Sequence, residues 1–311
     1  MIISTGMRTD IPACYSEWFF NRIREGFVLV RNPYNPRQVT RYRLDTEVVD
    51  GITFCTKNPA PMLERLEELS AFRQLWFVTI TPYGREVEPG VPLVEEVLKS
   101  FRRLSEKLGN QSVIWRYDPV FITETYSLDF HIRSFARMAE ALSGYTEVCV
   151  ISFIDLYQKT KRNFPQARTV RKEERETLGK AFVEIGKRCG IRIDTCCEGT
   201  ELARFGADVS GCMTKEKLEH GLGVTLDIPV GPKPPREGCG CFWGNDIGAY
   251  DTCTNGCLYC YACQDKERAL RNRRAHDPAS LFLTGGALPQ DEVHEAKQKS
   301  WTDGQMSLFK L

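Results

Sequence analysis

Six short runs of β-branched and aromatic residues alternate along this chain with stretches of helical periodicity. The runs Ile2–Thr5, Ile52–Thr56, Trp76–Thr81, Val113–Tyr117, Val148–Phe153 and Ile191–Thr195 predict strands. Between two of them, Leu93, Val94, Val97, Leu98, Phe101, Leu104 and Leu108 recur at the spacing that stacks side chains on one helix face. Leu128, Ile132, Phe135, Ala139 and Leu142 do the same, as do Met62, Leu63, Leu66 and Leu69, and Leu178, Phe182 and Ile185. Gly109, Gly144 and Gly190 stand where helices should stop. A strand followed by a crossover helix brings the next strand back parallel, with the helices covering the sheet. The rhythm therefore constrains the chain to the α/β class, and a single parallel (β/α) barrel is compatible with 311 residues.

Two stretches break the rhythm. Phe27–Val30 and Val39–Leu44 flank Asn-Pro-Tyr-Asn-Pro-Arg and read as a β-hairpin inserted after the first helix. Residues 198–245 are irregular, rich in cysteine, and include the proline-rich stretch 229–235. The expected organisation is one barrel domain over 1–285, holding that irregular segment, and a polar tail over 286–311.

Composition narrows the function. Forty-two basic and 41 acidic side chains leave a net charge of +1, which argues against a general polyanion binder. No run approaches 18 apolar residues, and the first residues lack the apolar core of a signal peptide, so the expectation is a cytoplasmic protein with no membrane partner. Thirteen cysteines in a reducing compartment point to metal ligands or redox chemistry rather than disulfides.

Polar residues follow the apolar runs. Arg8 and Asp10 follow the first, Thr56, Lys57 and Asn58 the second, Thr81 the third, Arg116 and Asp118 the fourth, Asp155 the fifth, and Cys196 and Glu198 the sixth. In a parallel barrel such positions converge on the C-terminal face, where active sites lie. Arg8, Asp10, Arg116 and Asp118 are the candidates for contact with cofactor or substrate. Arg116 and Asp118 straddle an aromatic and precede a proline, and an ionic pair so near a core strand should be partnered or face a ligand.

The sharpest motif is Cys253-Thr254-Asn255-Gly256-Cys257-Leu258-Tyr259-Cys260, a C-x3-C-x2-C pattern. Three thiolates on one tight loop hold three irons of a 4Fe–4S cluster and leave the fourth open to another ligand. Structural zinc is the competing reading, with Cys263 as a fourth thiol. Four thiolates within eleven residues of one loop are awkward for a tetrahedral ion, because zinc sites draw pairs from separate turns.

The cysteine loop resembles that of radical S-adenosylmethionine enzymes, including the aromatic before the third cysteine. The resemblance implies S-adenosylmethionine as a second cofactor, an electron donor protein as partner, and Tyr259 beside the adenine. Those enzymes carry the loop after the first barrel strand, whereas here only 48 residues follow Cys263. A circular permutation accounts for this: a strand over Asp246–Tyr250 would pair beside the N-terminal strand, and 262–274 would form the next helix. Arg8-Thr9-Asp10-Ile11-Pro12, Thr56-Lys57-Asn58-Pro59, Thr81-Pro82-Tyr83-Gly84, Trp115-Arg116-Tyr117-Asp118-Pro119 and the cysteine cluster together resemble an uncharacterised bacterial family. It is defined as a domain of unknown function with a radical-SAM-like cysteine cluster at its C-terminus. The loop is also similar, over a short stretch, to spore photoproduct lyase relatives, which repair DNA. That likeness implies a nucleic-acid base as substrate.

Cys196, Cys212, Cys239 and Cys241 form a candidate second set for zinc or a second cluster, with Cys197 an alternative to Cys196. The terminal Gln305-Met306-Ser307-Leu308-Phe309 resembles the pentapeptide that binds the bacterial DNA sliding clamp, its Leu and Phe suited to an apolar pocket. Lys159–Lys172 and Arg268–Arg274 are basic stretches that read as solvated faces or a nucleic-acid path. The alternative to an enzyme is an iron–sulfur or zinc protein that binds DNA and is recruited by the clamp.

Overall fold

A computed structural model describes residues 1–229, 239–242 and 244–302. In chain order the strands are β1 (Ile2–Ser4), β2 (Phe27–Arg31), β3 (Gln38–Arg43), β4 (Gly51–Thr56), β5 (Gln74–Thr79), β6 (Val113–Val120), β7 (Val148–Phe153), β8 (Arg192–Thr195), β9 (Asn245–Asp246) and β10 (Glu292–Glu295). The helices are α1 (Ile11–Cys14), α2 (Ser16–Glu25), α3 (Val94–Leu108), α4 (Leu128–Leu142), α5 (Gln158–Asn163), α6 (Lys172–Cys189), α7 (Lys215–Leu222) and α8 (Lys266–Arg274). Ala60–Leu69 forms a 3-10 helix.

All six expected runs form strands, and they lie in one parallel sheet ordered β8-β7-β6-β5-β4-β1-β9. The protein is thus an α/β fold on a seven-stranded parallel sheet. Barrel closure is not part of that sheet, since β8 and β9 are its two ends. Irregular backbone lies between those ends. Asp208 bridges Asp194 beyond β8, and Phe242 N–H donates to Met213 O at 2.7 Å, just before β9 begins.

Alternation along each strand divides the core between two faces. One face carries Phe54, Trp76 and Trp115; Phe54 and Trp76 stack across neighbouring strands, and Trp115 stacks on Phe135 of α4, which stacks on Phe182 of α6. Phe54–Trp76, Trp115–Phe135 and Phe135–Phe182 have centroids 4.1, 4.7 and 4.2 Å apart. Each buried ring contributes roughly 2–3 kcal/mol. The other face carries Ile2, Leu75, Phe77, Ile114, Val148 and Val150, and α7 covers it with Leu218 and Leu222. Gly221 makes that approach possible, because a Cβ there would stand 2.5 Å from Leu75 Cδ1.

The strand before the cysteine loop pairs beside β1, in parallel, as the permuted order requires, but it is shorter and earlier than Asp246–Tyr250. The ladder ends there for a local reason. Ile247 N–H still donates to Ser4 O at 3.0 Å, and Arg8 takes the Asp246 carbonyl and carboxylate. The helix expected from residue 262 starts at Lys266, because Asp265 caps it by accepting from Arg268 N–H at 3.0 Å.

The hairpin β2–β3 forms as expected, but it gains a third strand from the stretch read as a polar tail. Glu292–Glu295 pairs with Gln38–Arg41. Ser300 and the Trp301 N–H then donate to Asp50 at 2.5 and 2.8 Å, and Asp50 also takes the Met1 ammonium. The clamp-like residues 305–309 lie outside the described residues. No helix among the described residues is long and apolar enough to cross a membrane.

His131 on α4 is fully buried, with Nδ1 2.8 Å from Tyr117 Oη and Nε2 2.8 Å from Phe121 O. Burial pushes its pKa down to about 4, against the opposing bond to Phe121 O. The unfolded imidazole takes up a proton near 6.5, and the folded one does not until about 4. Stability is therefore complete above 6.5 and falls as pH drops through that window. Urea unfolding should show about 2 kcal/mol less stability from this group at pH 5 than at pH 7. The variant His131→Gln should lose that increment; an unchanged slope would place the acid sensitivity elsewhere.

Candidate functional site

The cysteine loop follows β9 and is tied to the C-terminal ends of its neighbours. Asn255 O accepts from Gly90 N–H at 2.9 Å, and Leu258 N–H donates to Val87 O at 3.0 Å. Tyr15 Oη donates to Thr252 O, and Tyr261 Oη to Met7 O, each at 2.7 Å. Gly256 takes φ +68°, a left-handed turn that glycine adopts without strain. The loop's three thiols are partly buried, and none of the thirteen cysteines forms a disulfide.

Two buried carboxylates organise the loop's surroundings. Asp10 accepts from Thr56 Oγ1 at 2.6 Å, Lys57 N–H at 2.8 Å, Ala13 N–H at 3.0 Å and Asn255 Nδ2 at 3.0 Å. It joins the end of β4, the cap of α1 and the cysteine loop. Burial raises its pKa, and these four donors oppose the shift. Glu88, which the sequence did not single out, accepts from Lys57 Nζ at 2.9 Å, from Thr81 Oγ1 at 2.7 Å and from Tyr259 Oη. Lys57 Nζ also stands 5.7 Å from the Tyr259 ring centroid. Glu88 lies in a loop with no periodicity to mark it. The only signal was the polar run after the strands, which named Lys57 and Thr81.

Burial pushes the Cys257 thiol up to about 12, against the pull of Lys57. Contact with Cys14 and then burial hold the Cys253 thiol above its ordinary range. Cys14, read from sequence as a core filler, lies 3.6 Å from Thr254 Oγ1. Among the described residues, no three His, Cys, Asp or Glu side chains gather as a single metal ion would require. A 4Fe–4S cluster asks for a different arrangement, in which each thiolate binds its own iron. The donor set fits that chemistry: three thiols on one anchored loop, with buried cationic Lys57 beside Cys257 to offset negative charge.

The four expected contact residues divide by role. Arg8 Nε pairs with Asp246 Oδ2 at 2.6 Å, so it secures β9. Asp10 is saturated by its four donors. Arg116 and Asp118 pair with each other on β6. Cys212 Sγ lies 3.8 Å from Arg116 Nη1 and 3.4 Å from Cys241 Sγ, and it also contacts Cys196. Two members of the candidate second set, Cys212 and Cys241, thus come together with Cys196 as a neighbour; Cys239 packs at the edge of the same apolar cluster. Glu198 accepts from Ser152 Oγ at 2.9 Å and Phe153 N–H at 2.8 Å, and pairs with Arg175 at 3.3 Å. In the basic stretches, Arg168 and Arg171 both bind Glu174.

A family model described as a domain of unknown function, DUF1848, matches residues 2–262. The chain belongs to that family. The match takes in the sheet and Cys253, Cys257 and Cys260, and it stops one residue before Cys263. No curated protein and no solved structure shows a significant match.

Asp10 gives a direct test of how the loop is held. Asp10→Ala leaves four donors without their acceptor and should cost about 2–4 kcal/mol in urea unfolding. Amide exchange should speed up at Lys57, which loses its acceptor, and at Asn255, whose loop loses its tie. Unchanged protection at both would show that the loop is held by its other bonds.

Proposed function

We propose that this protein is a radical S-adenosylmethionine enzyme whose cluster is held by Cys253, Cys257 and Cys260. One observation carries the reading. The C-x3-C-x2-C loop follows a strand paired in parallel beside β1, so its thiols lie at the C-terminal ends of the sheet strands. The fold proposed for it is a permuted barrel. The interval between β8 and β9 would be spanned by Asp208–Met213 and Cys241–Phe242, whose bonds to β8 and to each other support closure.

A reduced cluster of this type supplies an electron that splits the sulfonium of S-adenosylmethionine into methionine and a deoxyadenosyl radical. The chain's own groups bind and orient. Glu88 fixes the Tyr259 ring by accepting its hydroxyl, and Lys57 neutralises Glu88. Tyr259 would then offer a fixed ring beside the adenine. Arg116 and Asp118, on the strand face shared with Cys212, would meet the substrate. The substrate proposed is a nucleic-acid base. Its supports are the likeness to photoproduct lyase relatives and the clamp-like pentapeptide at 305–309.

Anaerobic reconstitution should load about four irons and four sulfides per chain. After reduction, the loaded protein should convert S-adenosylmethionine to 5′-deoxyadenosine, read by chromatography. Cys257→Ala should lose both. Absence of iron uptake would end the proposal, as would an intact cluster that makes no deoxyadenosine with single-stranded or damaged DNA present. The latter outcome would favour the DNA-binding alternative.

A further inference from the structure

Two stretches of irregular backbone run side by side in the interval between β8 and β9. Residues 210–213 lead into α7, and residues 240–242 come shortly before β9. Phe242 N–H donates to Met213 O at 2.7 Å, and Met213 N–H donates to Cys241 Sγ at 3.3 Å. The main chains also touch one step earlier. A Cβ on Gly240 would stand 2.5 Å from Ser210 O, and one on Gly211 would stand 3.5 Å from the Gly240 carbonyl carbon. Contacts of Gly211 with Gly240 and of Met213 with Phe242 thus bracket Cys212 and Cys241, and set them opposite each other. Their sulfurs lie 3.4 Å apart.

A disulfide holds its sulfurs about 2.05 Å apart, so these two have about 1.4 Å left to close. Main chains already in contact on both sides of the pair let side-chain rotation supply that movement. Cys212 and Cys241 are only 6% and 7% exposed, which leaves room for a small oxidant and not for a bulky one. Donors stand beside both sulfurs: the Met213 N–H at Cys241, and Arg116 Nη1 at 3.8 Å from Cys212. Such donors favour anionic sulfur, the form that reacts. Against the contact from Cys196, contact with Cys241 and burial push the Cys212 thiol up to about 12. Cys212 therefore keeps its proton, and Cys241 is the sulfur placed to react first.

We propose that Cys212 and Cys241 are a redox-active pair that hydrogen peroxide converts to a disulfide, tying the stretch before α7 to the stretch before β9. The Cys241 thiolate attacks one peroxide oxygen, and the O–O bond breaks. The sulfur becomes a sulfenic acid, and the other oxygen leaves as hydroxide, which takes up the proton lost by Cys241 and becomes water. The Cys212 sulfur then attacks the oxidised sulfur. The S–S bond forms, the S–O bond breaks, and the oxygen leaves as water with the Cys212 proton. Two thiols and one hydrogen peroxide thus give one disulfide and two waters. The tie sits just ahead of β9, whose two-residue ladder leads into the cysteine loop. It is independent of the cluster reading, and its test does not require activity.

Full-length protein, reduced and then freed of reductant, is treated with hydrogen peroxide, blocked with iodoacetamide and digested for mass spectrometry. The wild type should yield a peptide pair joining Cys212 to Cys241, lighter than the separate peptides by two hydrogens, which dithiothreitol releases. Cys253→Ala/Cys257→Ala/Cys260→Ala, which lacks the loop thiols, should yield the same pair. Cys196→Ser should keep it, and Cys241→Ser should lose it. Oxidation should also raise the Tm of the wild type, because the bond constrains the unfolded chain. Recovery of Cys212 and Cys241 as alkylated thiols after peroxide treatment of the wild type would overturn the proposal. So would a link from Cys196 to Cys212 in place of the expected one, or a Tm lowered by oxidation.

Discussion

The pairing of β9 with β1 is the constraint on which the site depends, and one ion pair fixes it. Only two residues of β9 join the ladder, Asn245 to Ile3 and Asp246 to Ser4. Two pairs of backbone bonds would not hold a strand of that length at a sheet edge. Arg8 supplies the rest, binding both the carboxylate and the main-chain oxygen of Asp246, while Met7 N–H donates to Asp246 Oδ1 at 3.1 Å. Both partners are largely buried, so removing one leaves an uncompensated charge, a loss of about 3–5 kcal/mol. The cysteine loop begins a few residues later. Its position at the strand ends is therefore set by contacts between residues 238 positions apart.

From β9 the order spreads along the C-terminal edge of the sheet. Asp10 carries it from the loop to β4 and α1, and Glu88 carries it from Tyr259 to Lys57 and Thr81. These are two separate buried carboxylates, each saturated by donors from different elements. Such networks specify one arrangement because any shift leaves a buried polar group unpaired. The loop between Cys253 and Cys260 has no regular structure of its own, so its shape comes from these neighbours.

The strands were legible in the sequence because each run is buried on both faces and reads as continuous β-branched or aromatic residues. Trp76, Trp115 and Phe54 declare themselves that way. Strand β9 was legible in its place beside β1 but not in its bounds, because Asn245 and Asp246 are polar and no apolar pattern marks where the ladder runs. Strand β10 was hidden for a related reason. Glu292–Glu295 is exposed along its length, so no apolar pattern marks it. The cysteine loop was legible from spacing, and Lys57 and Thr81 from their place after strands. Glu88 and Cys14 were not, since the contacts that tie them to the cysteine loop, Tyr259 and Thr254, are 171 and 240 residues away.

The charged groups at the strand ends are paired with one another. Arg8 is matched by Asp246, Lys57 by Glu88, Arg116 by Asp118 and Arg175 by Glu198. Each cation already holds a carboxylate, so no uncompensated positive field projects from these four pairs. A polyphosphate or a nucleic-acid backbone would have to displace a carboxylate from a buried partner to bind there, at a cost of several kcal/mol. On the function proposed above, a nucleic acid would therefore reach this edge through an extruded base, with its phosphates held away from these pairs.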